Sequence, residues 1–397
     1  MFEHLPVYAS DPILGMMDEF ARDPRANKVN LSIGIYYDEQ GRVPLLSSIQ
    51  NASSRLAVMR QPRTYLPIEG NSAYRNAVRD LLFGDDAETG GRRIAVVQTV
   101  GGSGALKVGA DFLKRAYESS SVWVPNPTWD NHIGIFQGAG FEVQRYPYYI
   151  SETHRFDFEG AKATLDELPE RSIVVLHPCC HNPTGVQPDR AQWMGMLDII
   201  QERELIPFLD IAYQGFGESL DDDAWLIREC ARRKLEFLVA SSFSKSFSLY
   251  GERVGALSVF TMEESYEQVL GQLKLNIRRN YSSPPFYGAA LVAHVLSDAV
   301  LVAQWRGELN AMRERIIAMR AALVKGLVER VPSCDFSFLA NQQGMFAYTG
   351  LSPQQIVRLK KKHAIYAVEN GRICVAGLNS ENLPLVCDAV AEVAPLY

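Results

Sequence analysis

The chain has 397 residues, long enough for two or more domains, and its 47% hydrophobic and 22% charged content is that of an ordinary globular protein, which excludes a disordered or fibrous chain. A formal net charge of −6, from 40 basic and 46 acidic residues, gives no overall basic field for nucleic acid, and no Lys/Arg run marks a membrane-surface patch. Six cysteines, without disulfide-scaffold density or paired CxxC spacing, fit a reducing compartment.

The opening MFEHLPVYASDPILGMMDEF has acidic residues and a proline where a secretory signal needs a basic end and an apolar run. Charges interrupt every later apolar run, so the expected location is the cytoplasm. Strand-like apolar runs then follow at RIAVVQTV, SVWVPNP, FEVQRYPYY, SIVVLHP, LIPFLDIAY, EFLVASSFSK and GALSVF. Helical patterns such as GALKVGADFLKRAY and RAQWMGMLDIIQEREL lie between them. Short, nearly continuous apolar strands separated by helices predict an α/β fold with a mainly parallel, doubly wound sheet buried on both faces. After it, LVAQWRGELNAMRERIIAMRAALVKGLVERV reads as a long amphipathic helix leading into a smaller α/β domain.

Parallel sheets of this kind bind ligands beyond the carboxyl ends of their strands. Three of the runs are followed there by a polar residue that a buried strand does not otherwise want: Asn182, Asp210 and Lys245. A buried carboxylate costs several kcal/mol unless it meets a cation or strong donors. Asp210 is therefore either a strand-end loop cap or the partner of a protonated ring nitrogen. Lys245 is either a solvated loop lysine or, desolvated beside cations such as Arg253, a nucleophile and base. Ser242 and Ser244 flank it and can donate to an anion.

The turn QTVGGSGALKVGADFLK runs from a strand through Gly101, Gly102, Ser103 and Gly104 into a helix, which aims free N–H groups and a positive dipole end at an anion. It has neither GxGxxG spacing nor a GK[ST] ending, so a single phosphate fits better than a nucleotide. A phosphate site, a lysine for a Schiff base and an aspartate for a pyridinium nitrogen are the parts of a pyridoxal phosphate enzyme. The rival cluster in HPCCHNPTG, His177, Cys179, Cys180 and His181, suggests zinc, but no second ligand pair follows, and no metal is expected.

With these motifs assembled, the sequence resembles the class I (fold type I) aminotransferases over essentially its whole length. It is most similar to their bacterial aromatic-amino-acid (tyrosine) branch, with the bacterial aspartate branch as a cousin. The motifs that carry the resemblance are DPILG, KVNLSIGIYYDEQG, TVGGSGALKVGADFL, HPCCHNPTG, DIAYQGF, SSFSKSFSLYGERVG, RRNYSSPP and GRICVAGLN. It implies an N-terminal arm over 1–14, a small domain over 15–44 and 311–397, and a large cofactor-binding domain over 45–310. It further implies that Lys245 holds pyridoxal 5'-phosphate and shuttles the proton, Asp210 pairs with the pyridine nitrogen, and Asn182 and Tyr213 bond the phenolic oxygen. Gly102, Ser103, Ser242, Ser244 and Arg253 would hold the phosphate, Trp129 would stack on the ring, and His132 would lie behind it. Tyr65 would reach the phosphate from the neighbouring subunit of a homodimer with shared active sites.

For substrate, the resemblance assigns Arg372 to the α-carboxylate and Arg278, from the other subunit, to a distal carboxylate, with Ile33, Gly34 and Trp129 lining the site. Tyr37 and Ser283 stand where aspartate enzymes typically have lysine and asparagine. Losing a charge and gaining apolar surface there favours an aromatic ring. The implied reaction is ping-pong transfer of the amino group of tyrosine, phenylalanine or tryptophan to 2-oxoglutarate through pyridoxamine phosphate, with some activity on aspartate. An aspartate aminotransferase is the alternative; a lyase or decarboxylase has little reason to keep both arginines, and a cofactor-binding regulator is expected to carry a DNA-binding domain.

Overall fold

The computed structural model describes residues 2–5, 12–59, 64–84 and 93–394. Half of the expected arm over 1–14, residues 1 and 6–11, lies outside the described residues. The chain divides into two compact units, one of residues 1–43 with 315–397 and one of residues 44–314.

The larger unit is built on a seven-stranded sheet made from the seven apolar runs. In spatial order its strands are Ile94–Val100, Val254–Phe260, Phe237–Ser242, Ile206–Ile211, Ile173–Leu176, Val122–Asn126 and Val143–Pro147. All neighbours are parallel except Val254–Phe260, which runs antiparallel to the strands on both its sides. Nearly every residue of Ile94–Val100, Val254–Phe260, Phe237–Ser242 and Ile173–Leu176 is buried, as expected where helices cover both faces. In Ile206–Ile211 the buried run is interrupted at Asp210. That interruption marks where the strand meets the site.

Helices fill the crossovers. Gly101–Ala116 starts directly from the end of the first strand, three residues earlier than the apolar pattern alone suggests, because Gly101 at φ +68° turns the chain without a side chain in the way. Arg190–Glu202 is closed by a reciprocal cap between Asp189 and Gln192. On one face of the sheet Phe136, Phe208, Leu238 and Leu257 share a core with Leu106, Val108 and Leu113 of the helix 101–116. Gly109 in that helix lies so near Phe208 that an added Cβ would sit 2.5 Å from the ring, so close helix–sheet packing requires glycine there.

The smaller unit has two short strand pairs. Val29–Asn30 runs parallel to Ile365–Tyr366, and Phe346–Tyr348 runs antiparallel to Arg372–Cys374 with Tyr348 opposite Arg372. Helix Pro353–His363 begins with Pro at its start and a Ser352/Gln355 capping box, and Asn382–Val393 packs beside it. The 32-residue helix Ala299–Arg330 contributes its second half to this unit. Among the described residues no single helix is long and apolar enough to cross a membrane.

Candidate active site

The carboxyl ends of the parallel strands gather the polar residues of the larger unit. Asp210 lies opposite Ala240 across the neighbouring strand pair, and its side chain is 10% exposed. Its Oδ2 accepts from His132 Nε2 at 2.9 Å, while Thr128 Oγ1 lies 2.8 Å from His132 Nδ1. A carboxylate only accepts, so Nε2 carries the proton, and in the neutral ring Nδ1 accepts from the threonine hydroxyl. Burial pushes the Asp210 carboxyl up, but the hydrogen bond from His132 and the nearby Lys245 ammonium outweigh it and hold it below its ordinary value. The group is an anion at neutral pH, aimed past the end of its strand.

Behind this pair the rings of His132, His177 and His181 follow one another at 5.1 and 4.5 Å, and His181 stacks on Tyr148 at 3.8 Å. Asn182 N–H donates to His177 Nδ1 at 3.2 Å, which fixes that ring as an acceptor. The sequence reading weighed His177 only as a zinc ligand and missed Thr128; the one sequence signal was the spacing of four between Thr128 and His132 on the turn entering helix Asp130–Gly138.

Burial, together with the neighbouring His132 ring, lowers the His177 pKa from its ordinary 6.5 to about 3. Between those values the unfolded chain binds a proton that the folded chain refuses, so stability is full above pH 6.5 and is lost as pH falls. At one proton the slope is about 1.4 kcal/mol per pH unit, or about 2 kcal/mol between pH 6.5 and 5. Urea unfolding at pH 7 and pH 5 is therefore expected to show a smaller acid loss in His177→Gln than in the wild type. Equal losses would contradict the buried neutral imidazole.

Lys245 follows strand Phe237–Ser242 and is half-buried, with its Nζ 4.7 Å from the centre of the Tyr213 ring. Tyr213 and Asn182 are both buried, the latter 7% exposed. Around the same strand end Ser242, Ser244 and Arg253 meet the glycine turn. Arg253 Nη1 donates to Ser244 Oγ at 3.3 Å and Ser244 N–H to Ser242 Oγ at 3.4 Å. Arg253 itself has φ +52°, a left-handed conformation costing a non-glycine roughly 1–2 kcal/mol. Its carbonyl accepts from Gly101 N–H at 3.0 Å, which ties the arginine to the turn.

The glycines leave a cradle that side chains would fill. A Cβ on Gly101 would lie 2.5 Å from Arg253 Nη2, one on Gly102 3.1 Å from Ser242 Cβ, and one on Gly255 2.4 Å from the Gly101 carbonyl carbon. The helix 101–116 begins here with Ser103 in its first turn, no side-chain cap and no acidic residue. Its first-turn N–H groups and positive dipole end suit an anion. The donor set of N–H groups, hydroxyls and a guanidinium fits a phosphate, and the anionic Asp210 fits a protonated ring nitrogen. Trp129, at the start of the next helix, packs edge-on against His132 at 5.3 Å.

Three further residues of this unit lie apart. Tyr65 is 95% exposed. Arg278, at the exposed end of helix Tyr266–Asn280, donates to Ser282 Oγ, and Ser283 is half-buried in the turn that follows.

The smaller unit holds the other substrate candidates. Arg372 is 4% exposed, donates to Ser32 O at 2.6 Å and lies 4.3 Å over the Phe346 ring. Ile33 and Gly34 are the next two residues after Ser32 and are half-buried. Tyr37 lines a cleft of about 790 Å³ with Met17, Phe20, Lys28 and Asn30, and burial pushes its phenol up.

The pattern of the family described as aminotransferase class I and II matches residues 26–390. The aromatic-amino-acid aminotransferase of Escherichia coli K12 is 54% identical over 99% of this chain and 100% of its own. An aspartate aminotransferase of Pseudomonas aeruginosa is 48% identical over 99% of each chain. The solved structure of the Burkholderia pseudomallei aromatic-amino-acid aminotransferase, covalently bound to pyridoxal phosphate, superposes with a TM-score of 0.96 at 48% identity, covering 99% of each chain. This chain belongs to the class I and II aminotransferases.

Proposed function

We propose that this protein is a pyridoxal phosphate-dependent aromatic-amino-acid aminotransferase. It transfers the amino group of tyrosine, phenylalanine or tryptophan to 2-oxoglutarate, accepts aspartate as a second donor, and works in the cytoplasm as a homodimer. The observation that carries the reading is the anionic Asp210, held by His132 at 2.9 Å, on the same sheet edge as Lys245 and the glycine cradle. When bound, pyridoxal phosphate supplies an electron sink that allows the Cα proton of an amino acid to leave.

The chain's own groups do the rest. Asp210 keeps the ring nitrogen protonated by offering a fixed negative charge, and the Thr128–His132 pair holds that carboxylate in place. Asn182 and Tyr213 donate to the phenolic oxygen. Gly102, Ser103, Ser242, Ser244 and Arg253 hold the phosphate, and Trp129 covers the ring. Lys245 Nζ takes the proton from Cα and would return it two atoms away, across the nitrogen, in a 1,3-shift; its place against the Tyr213 ring keeps the amine on one side of the reacting carbon. The planar fork of Arg372 grips the α-carboxylate, oriented by Ser32 O and the Phe346 ring.

The exposure of Tyr65 and of Arg278 supports their assignment to the partner's site, Tyr65 to the phosphate and Arg278 to the distal carboxylate of 2-oxoglutarate. Tyr37 and Ser283, together with Ile33 and Gly34, are assigned to the side-chain pocket. An uncharged tyrosine and a serine favour an aromatic ring over a carboxylate. The 48% identity to an aspartate aminotransferase supports aspartate as the competing donor.

Purified protein given phenylalanine and 2-oxoglutarate is expected to form phenylpyruvate and glutamate in equal amounts; a lyase or decarboxylase would not. Arg372→Lys, which replaces a two-pronged donor by a point charge, should lower kcat/KM by roughly 100-fold, since a bond to a charged group is worth about 1.5–3 kcal/mol. The loss should be equal for phenylalanine and aspartate, which share the α-carboxylate. A loss confined to one of them would reassign Arg372 to the side chain.

A further inference from the structure

Cys179, Cys180 and Asp223 have no part in amino transfer, yet they form a cluster that the sequence did not reveal. Their ligating atoms, two sulfurs and a carboxylate oxygen, all lie within 4.8 Å of one another. All three residues are buried, at 5%, 3% and 3% exposure. Successive side chains of an extended chain point to opposite sides, but Cys180 has φ +51°, and this left-handed turn lets adjacent sulfurs gather beside one carboxylate.

The carboxylate is fixed in place. Asp223 Oδ2 accepts from Gly215 N–H at 2.7 Å and Gly217 N–H at 3.0 Å, and Oδ1 accepts from Glu218 N–H at 2.9 Å. A carboxylate has about four lone-pair sites over its two oxygens, so these three bonds leave one, on Oδ1, to bind an ion. The nearby imidazoles do not belong to this group of ligating atoms, and their Nδ1 atoms are engaged elsewhere, His177 with Asn182 N–H and His181 with Thr184 Oγ1 at 2.8 Å. The cluster is thus different from the His/Cys set that the local sequence suggests.

We propose that Cys179, Cys180 and Asp223 form a binding site for a soft divalent cation such as Zn²⁺ or Cd²⁺. With metal–sulfur bonds of about 2.3 Å, tetrahedral donors stand ~3.8 Å apart, so the trio closes by at most about 1 Å. Two sulfurs to one oxygen select a thiophilic ion over Mg²⁺ or Ca²⁺. Binding forms two metal–sulfur bonds and breaks two S–H bonds, releasing both protons to solvent, and no group is oxidised or reduced. Protons compete with the ion for the sulfurs, so affinity rises with pH.

The test titrates the cofactor-loaded protein with CdCl₂ in weak buffer, reading sulfur-to-cadmium charge-transfer absorption, released protons and bound metal after dialysis. The expected result is one ion per chain, about two protons released per ion, and no competition from excess Mg²⁺. C180S and C179S should each weaken binding by at least about tenfold and lose part of the absorption, while D223N weakens binding and retains it. Having two single-thiol variants keeps the test decisive if one fails to fold. Retention of full affinity by a folded C179S or C180S, or no cadmium held by the wild type, would overturn the proposal; the first result would assign the ion to other thiols.

Discussion

Lys245→Ala is expected to lower the rate of amino transfer by about 10⁴-fold or more, because it removes both the nucleophile that holds the cofactor and the base that moves the proton. The protein should fold normally, since the side chain is half-buried and its loss leaves the strand Phe237–Ser242 intact. Pyridoxal phosphate should still bind without a covalent bond, because the glycine turn, the serines and Arg253 are untouched. Absorption after dialysis measures that retention, and added methylamine should restore part of the proton transfer. A variant keeping a tenth of wild-type activity would remove Lys245 from the chemistry.

Asp210→Asn separates electrostatics from shape. The amide is nearly isosteric and relieves the cost of burying a charge, so thermal stability should change little. Activity should fall by roughly 10²–10³-fold, in line with the ~2.7–4 kcal/mol lost when one preorganised electrostatic contact is removed from an active site. The loss should appear mainly in kcat, because the phosphate cradle is intact and substrate binding through Arg372 is separate. Asp210→Glu keeps the charge but displaces it, so it should recover only part of the rate. Near-wild-type turnover in Asp210→Asn, measured with phenylalanine at saturation, would mean that no protonated ring nitrogen depends on this carboxylate.

Much of the larger unit could be read from the sequence because a sheet covered on both faces leaves continuous apolar runs, and those runs are the seven strands. The polar residues that interrupt or follow the runs, Asp210, Asn182 and Lys245, stand out for the same reason: burial makes them costly without a partner. Strand order was harder. Nothing local in GALSVF announces that Val254–Phe260 inserts antiparallel between Ile94–Val100 and Phe237–Ser242.

Long-range partners were also hidden. His132 and Asp210 are 78 positions apart, and Thr128 gains a purpose only once His132 is seen to need an acceptor-side neighbour. Asp223 ends a run of three aspartates, 221–223, with no local feature to mark it. Only the fold brings it to the Cys179–Cys180 pair and to the amides that follow Tyr213. The roles of Tyr65, Arg278, Tyr37 and Ser283 came from resemblance rather than from spacing, because each taken alone is an ordinary surface or packing residue.

The central claim is the preference for aromatic donors, and a single-turnover measurement tests it most directly. Cofactor-loaded protein is mixed in a stopped-flow instrument with phenylalanine, tyrosine or aspartate, without any 2-oxo acid, while the visible absorption of the cofactor is followed. Conversion by the aromatic amino acids at a rate equal to or above that of aspartate is the expected result. Rapid conversion by aspartate with negligible conversion by phenylalanine and tyrosine would contradict it and make the protein an aspartate aminotransferase.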